Sequence, residues 1–207
     1  MIIAVDGPAA SGKGTISKAL ARHYNLPHLD TGLLYRAVAA TVCRLDLDPS
    51  KEADAVAACD FDELTLADPV LRTDEIGQLA SIVSAHPLVR ASLLRRQQRF
   101  ALQPDGAVLD GRDIGTVIAP NADAKLFIKA TPTVRARRRH AELQSHGSTL
   151  SFDKVLLDIR ARDARDSGRS TAPLVQAADA ATLDTSFLSI EESVRRAIAL
   201  VEARATA

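Results

Sequence analysis

The stretch Met1-Ile2-Ile3-Ala4-Val5-Asp6-Gly7-Pro8-Ala9-Ala10-Ser11-Gly12-Lys13-Gly14-Thr15 decides the fold. Met1 to Val5 is a short apolar run closed by Asp6-Gly7, which predicts a buried strand ending in a turn. From Lys13 to Tyr24, the positions Ile16, Ala19, Leu20 and His23 recur at helical spacing. Between them, Gly7 to Lys13 matches the phosphate-binding pattern G-x-x-x-x-G-K, in the strand–loop–helix context that the pattern requires. Glycines let successive amide N–H groups turn inward around phosphate oxygens. The helix N-terminus adds partial positive charge, and Lys13 extends toward the β- and γ-phosphates. Gly7, Pro8, Ala9, Ala10, Ser11, Gly12, Lys13, Gly14 and Thr15 are thus the expected nucleoside triphosphate-binding residues. The usual hydroxyl follows the lysine directly, whereas here Gly14 intervenes. Thr15 therefore either touches Mg²⁺ directly or binds a phosphate with the metal held through water.

Outward from this unit, strands and helices alternate. Pro27–Asp30 reads as a second strand and about Gly32 to Leu45 as a helix, with Leu34, Val38 and Val42 on one face. Phe61–Leu71 predicts two short strands of an insert. Asp74–Ser84 and Pro87–Leu102 predict helices, the second opening on proline. Ala107–Leu109 and Ala124–Ile128 predict buried strands. Thr131-Pro132 opens a helix running to Gln144, which breaks at Ser145-His146-Gly147. A further helix spans Phe152 to about Asp166. Ala181–Leu183 predicts a last strand, and Ser189-Ile190-Glu191-Glu192 a capping box for the final helix. This alternation implies an α/β domain: a parallel five-stranded sheet flanked by helices. No repeat, linker or low-complexity tract interrupts it, so residues 1–207 are expected to form one domain.

Composition excludes several functions. The 26 basic and 26 acidic residues cancel, which argues against a basic nucleic-acid coat. Aromatic residues are 3% with no Trp, too few for base-stacking platforms. Cys43 and Cys59 fit neither a disulfide framework nor a zinc site, and the five histidines show no ligand spacing. No signal peptide or membrane span is expected, and a reducing cytoplasm is the expected setting.

The basic residues divide unevenly, 20 Arg against 6 Lys, and 13 of the Arg fall between residues 90 and 169. Arginine gives planar, bidentate contact with phosphates. Phosphoryl transfer needs two phosphate groups brought in line and their charge offset. An enzyme for a phosphorylated acceptor should therefore carry arginines away from the loop. Arg36 lies near the first turn of its helix, where the dipole disfavours a cation and a bound phosphate would supply the missing anion. Thr31 is a candidate cap for that helix. Asp110, at the end of its strand, is placed to serve a Mg²⁺ site. Arg112 is a candidate phosphate clamp, and Asp113 could accept a hydrogen bond from an exocyclic amine.

The G-K-G-T loop resembles that of nucleoside monophosphate kinases, and the remaining elements narrow the resemblance. Leu29 to Arg36, Arg72-Thr73-Asp74-Glu75, Pro87-Leu88-Val89-Arg90, Asp110 to Thr116, and Arg162 to Leu174 follow the order of the bacterial cytidylate kinases. They match that family's LDTG-x-x-YR, R-T-x-E, P-x-V-R, DGRD-x-GT and RD-x-x-D-x-x-R-x-x-APL elements across essentially the whole chain. The resemblance implies a P-loop kinase fold with a monophosphate-binding insert over 58–102 and a helical lid over 138–160. It implies transfer of a phosphoryl group from ATP to CMP and dCMP, with Mg²⁺. Ser81, Arg90 and Asp113 would read the pyrimidine, and Arg36 and Arg112 would hold the acceptor phosphate. Thr31 and Tyr35 would shape the pocket, Arg162 and Asp166 would meet the ribose, and Arg169 would serve base or phosphate. Lid closure would bring Arg138, Arg160 and Arg165 onto the transferring group beside Lys13 and Arg112, and exclude water.

Two rivals are set against this expectation. One keeps the kinase and changes the acceptor to UMP, AMP or a small metabolite such as shikimate. The other is a non-kinase P-loop ATPase or switch, but the guanine-reading N-K-x-D of a switch does not occur in the sequence. ATP and CMP or dCMP are the expected partners of a monomer, without nucleic acid or membrane.

Overall fold

The computed structural model describes residues 1–145 and 147–205; His146, within the expected helix break, lies outside the described residues. Five strands form the sheet: β1 (Ile2–Asp6), β2 (His28–Asp30), β3 (Ala107–Gly111), β4 (Ala124–Lys129) and β5 (Ala181–Asp184). Their order is β2-β3-β1-β4-β5, and every pairing is parallel. The eight α-helices are α1 (Lys13–Tyr24), α2 (Thr31–Arg44), α3 (Glu52–Ala57), α4 (Asp74–Val83), α5 (Pro87–Ala101), α6 (Pro132–Ser145), α7 (Phe152–Gly168) and α8 (Ile190–Ala205). None among the described residues is long and apolar enough to cross a membrane.

Both faces of the sheet are covered, which is why β3 opens on the apolar run Ala107-Val108-Leu109 and buries all five of its residues. On one face Ile3, Val5, Val108, Leu126 and Ile128 pack with Ile16 and Leu20 of α1 and Ala197 and Val201 of α8. On the other, Ala4, Ala107 and Leu109 pack with Ala101, Ile114 and Ile118. A separate core joins Leu34, Val38 and Val42 of α2 to Ile76, Ala80 and Val83 of α4 and to Val89 and Leu93 of α5. A small fourth core binds Ala136 and Leu143 of α6 to Val155 and Ile159 of α7, with Ala9 and Ala10 of the phosphate loop against it.

The insert departs from expectation. Phe61–Leu71 forms no strands: Glu63–Ala67 and Pro69–Arg72 are 3₁₀ turns. The side chains of Asp62 and Asp68 accept from the amides of Leu64 and Val70, 2.8 and 2.9 Å away, and each closes a turn. The apolar spacing that suggests strands instead seats Phe61, Leu66 and Leu71 on the α2–α4 core. α3, which the sequence did not reveal, precedes these turns.

Candidate active site

The strands end at a cavity of about 490 Å³, bounded by the phosphate loop, the starts of α2 and α4, the turn after β3, and α6–α7. This is the crevice beyond the carboxyl ends of parallel strands where ligands of open α/β sheets bind. The phosphate loop is held by backbone geometry. A Cβ on Gly7 would lie 2.1 Å from the Ile128 carbonyl oxygen, so any side chain there would displace β4. Gly12, at φ 92°, takes the left-handed conformation that starts α1. From behind, Arg135 donates to the Ala9 carbonyl at 3.2 Å and Arg138 to the Ser11 carbonyl at 3.3 Å. Thr185 also donates to Ser11 O, at 2.9 Å.

The cavity takes in Ala9 through Thr15, while Gly7 and Pro8 stand behind it. Lys13 lies at its floor. Burial, reinforced by the cation of Arg112, lowers its pKa to about 8, and the carboxylates of Asp110 and Asp30 act against that fall. Asp30 and Asp110 are in register on β2 and β3. Burial pushes the Asp30 pKa up, and the neighbouring charge of Asp110 pushes it further. Asp30, not Thr31, caps α2, accepting from the Gly32 amide at 3.0 Å. Thr31 is corrected from a cap to a strand tie, its hydroxyl donating 2.8 Å to the Asp110 carbonyl. The turn after β3 is set by Asp6, whose carboxylate accepts from the amides of Ile114 and Gly115 at 2.8 Å each. Burial raises the Asp6 pKa to about 6.

The acceptor-side residues converge. Asp113 and Arg90, 4% and 6% exposed, pair at 2.5 Å, and the Arg90 guanidinium sits 5.3 Å from the Tyr35 ring centre. Arg112 donates through Nε to Asp166 at 2.7 Å, and Arg162 reaches the same carboxylate oxygen at 4.0 Å. Asp166 is held below the usual carboxylate range, since these two arginines outweigh its burial. Burial and the charge of Arg112 lower the Arg162 pKa to about 10. Arg36 lines the cavity and donates to the carbonyls of Leu71 and Thr73 at 2.5 and 3.1 Å. Arg165 donates to Ser81 Oγ at 3.1 Å, and Arg169 to the Ala172 carbonyl at 2.7 Å. Several buried donor atoms make no hydrogen bond: Arg90 Nε, Arg162 Nε and Arg169 Nη2. Unpartnered donors on crowded arginines suit an anionic, polar ligand.

Two expected lid residues lie elsewhere. Arg138 turns from the cavity to Thr185, donating to its hydroxyl at 3.0 Å and its carbonyl at 2.6 Å. Arg160 is exposed and does not line the cavity. At α7's helical spacing, the face that carries Arg162, Arg165 and Arg169 turns residue 160 outward. Two residues with no expected site role line the cavity in their place: Arg139, of the same arginine-rich helix, pairs with Asp74 at 2.9 Å, joining α6 to α4. A bidentate pair, Arg135 with Asp163 at 2.9 and 2.6 Å, joins α6 to α7.

Among the described residues no three His, Cys, Asp or Glu side chains gather to hold a metal. Thr15, Asp30 and Asp110 instead supply oxygen groups beside the loop. Such a set suits Mg²⁺ carried in by nucleotide phosphates with its waters retained, rather than an all-protein cage.

A family model described as cytidylate kinase matches residues 3–203. A cytidylate kinase of Xanthobacter autotrophicus is 58% identical over 204 residues, 99% of this chain and 98% of that one. Another, of Afipia carboxidovorans, is 56% identical over 208 residues and covers 100% of both chains. Among solved structures, an uncharacterized protein from Eubacterium ventriosum aligns over 98% of each chain with a TM-score of 0.56 and 16% identity, a likeness of fold alone.

Proposed function

This chain belongs to the cytidylate kinase family, and from that premise we propose how its cavity moves the γ-phosphoryl group of ATP to CMP or dCMP. The observation that carries the reading is the cavity itself, which joins the phosphate loop to the buried Arg90–Asp113 pair through a run of arginines. The amides of residues 9–15 and Lys13 cradle the triphosphate. At the far end, Asp113 accepts from the exocyclic amine of cytosine, with Arg90 and Ser81 beside it. Asp166 and Arg162 take the ribose, and Arg36 and Arg112 hold the acceptor phosphate. Residues 58–102 carry the acceptor side and 138–160 the lid. All the named side chains come from one chain, consistent with a monomer.

An oxygen of the CMP phosphate attacks the γ-phosphorus in line. The bond from γ-phosphorus to the β,γ-bridging oxygen breaks, and ADP leaves with that electron pair. The attacking phosphate is already an anion, so no base is needed. Lys13, Arg112 and Arg165 offset the charge on the transferring oxygens as it develops. Arg162 remains positive at pH 7 despite its lowered pKa of about 10. Thr15 and Asp110, directly or through water, would hold Mg²⁺, which would offset negative charge on the triphosphate.

With γ-labelled ATP, the label is expected in CDP and dCDP and in neither protein nor inorganic phosphate. Label retained on the quenched protein would refute direct transfer.

A further inference from the structure

His28 lies outside the motifs on which the kinase reading rests, yet it touches the centre of the site. Its Nε2 lies 2.8 Å from Asp110 Oδ2, and the two side chains are 16% and 2% exposed. The register explains the contact. His28 pairs with Val108 and Asp30 with Asp110, so His28, Asp30 and Asp110 share one face of the sheet and the imidazole reaches diagonally forward. Asp110 also sits beside Asp30, a second carboxylate, and both face Lys13. A carboxylate so close to another needs a donor to fix which way its oxygens point. No other hydrogen-bond donor reaches the Asp110 side chain among the described contacts, so His28 supplies it.

We propose that His28 is a positioning residue for phosphoryl transfer. Its Nε2–H holds the Asp110 carboxylate aimed at Lys13 and the mouth of the phosphate loop. This rests on the transfer reading above, and acts through Asp110 rather than on the substrates. Hydrogen-bonded partners behind metal-ligating side chains are worth about 10–100-fold in activity, and Asp110 is placed as such a ligand in the reading above.

The test compares His28→Leu, His28→Asn and His28→Gln. Only the glutamine amide can stand where Nε2 stands and donate to Asp110. His28→Leu is expected to lower kcat about 10–100-fold with KM for CMP unchanged. His28→Gln restores most of the rate; His28→Asn, whose amide stops short, behaves like leucine and serves where leucine fails to fold. In an Asp110→Asn background His28→Leu costs nothing further. Independently, ¹⁵N spectra of the nucleotide-free protein are expected to show His28 as the Nε2–H tautomer. An Nδ1–H tautomer, glutamine no better than asparagine, or additive losses with Asp110→Asn would each overturn the proposal. Wild-type protein inert toward CMP would instead refute the kinase reading on which it rests.

Discussion

Replacing Asp113 by asparagine tests how the acceptor base is read. Asp113 is buried and its Oδ2 accepts from Arg90 Nη2 at 2.5 Å. Alanine would be a poor probe, because it would strand the buried Arg90 cation at a cost of about 3–5 kcal/mol. Asparagine keeps the shape and removes the charge. A hydrogen bond to a charged group contributes about 1.5–3 kcal/mol, which at 1.36 kcal/mol per decade is about 10- to 150-fold. The variant should therefore lose about that factor in kcat/KM for CMP at saturating ATP. UMP presents a carbonyl where CMP presents an amine, so a carboxylate repels it and an amide can donate to it. The kcat/KM for UMP should hold or rise. The assay is coupled ADP release with each acceptor, alongside Arg36→Ala, which should weaken CMP and UMP alike. An unchanged CMP-to-UMP ratio in Asp113→Asn would refute the reasoning.

Other outcomes follow from the same contacts. Arg135→Ala breaks a bidentate pair with Asp163 in which the arginine is the buried partner, and should destabilise the chain by about 1.5–3 kcal/mol in denaturant melts; Arg135→Lys should not rescue it, since the fork is lost. Asp6 has its pKa raised from 3.8 to about 6 by burial. The folded state thus binds more protons than the unfolded state between those values, so this group's contribution falls as pH rises through them. Asp6→Asn removes that dependence, and its stability relative to wild type should improve by on the order of 2 kcal/mol from about pH 4 to about pH 6.5. Parallel pH curves for the two proteins would contradict the assignment. Arg160→Ala should leave kcat within about twofold, because surface charges away from the site contribute little.

What the sequence made legible was local. The strand, glycine turn and helix of residues 1–24 depend on near neighbours, and all five strands of the sheet lie where the sequence predicts strands. Arg90, Arg112, Asp113, Arg162, Asp166 and Arg169 sit in short motifs, and all line the cavity. The insert misled because apolar spacing alone does not distinguish strands from turns that seat the same side chains on helices; Asp62 and Asp68 were the turn signal. The partners of Arg138, Thr185 and Ser11, lie 47 and 127 residues away, beyond any helical spacing. Glu142, four residues on from Arg138, pairs with Arg139 at 3.0 Å. The cluster of His28, Asp30 and Asp110 needed the β2–β3 register, which no single segment reveals. Of these three, His28 alone had no motif to mark it.

The central claim is that this cavity joins ATP to a cytosine monophosphate. ADP release should be measured with ATP against CMP, dCMP, UMP, AMP and shikimate, and with no acceptor. Rapid turnover on CMP and dCMP, far slower turnover on the others and negligible turnover without an acceptor are predicted. Equal rates on CMP and UMP, or rapid ATP turnover with no acceptor present, would contradict the account.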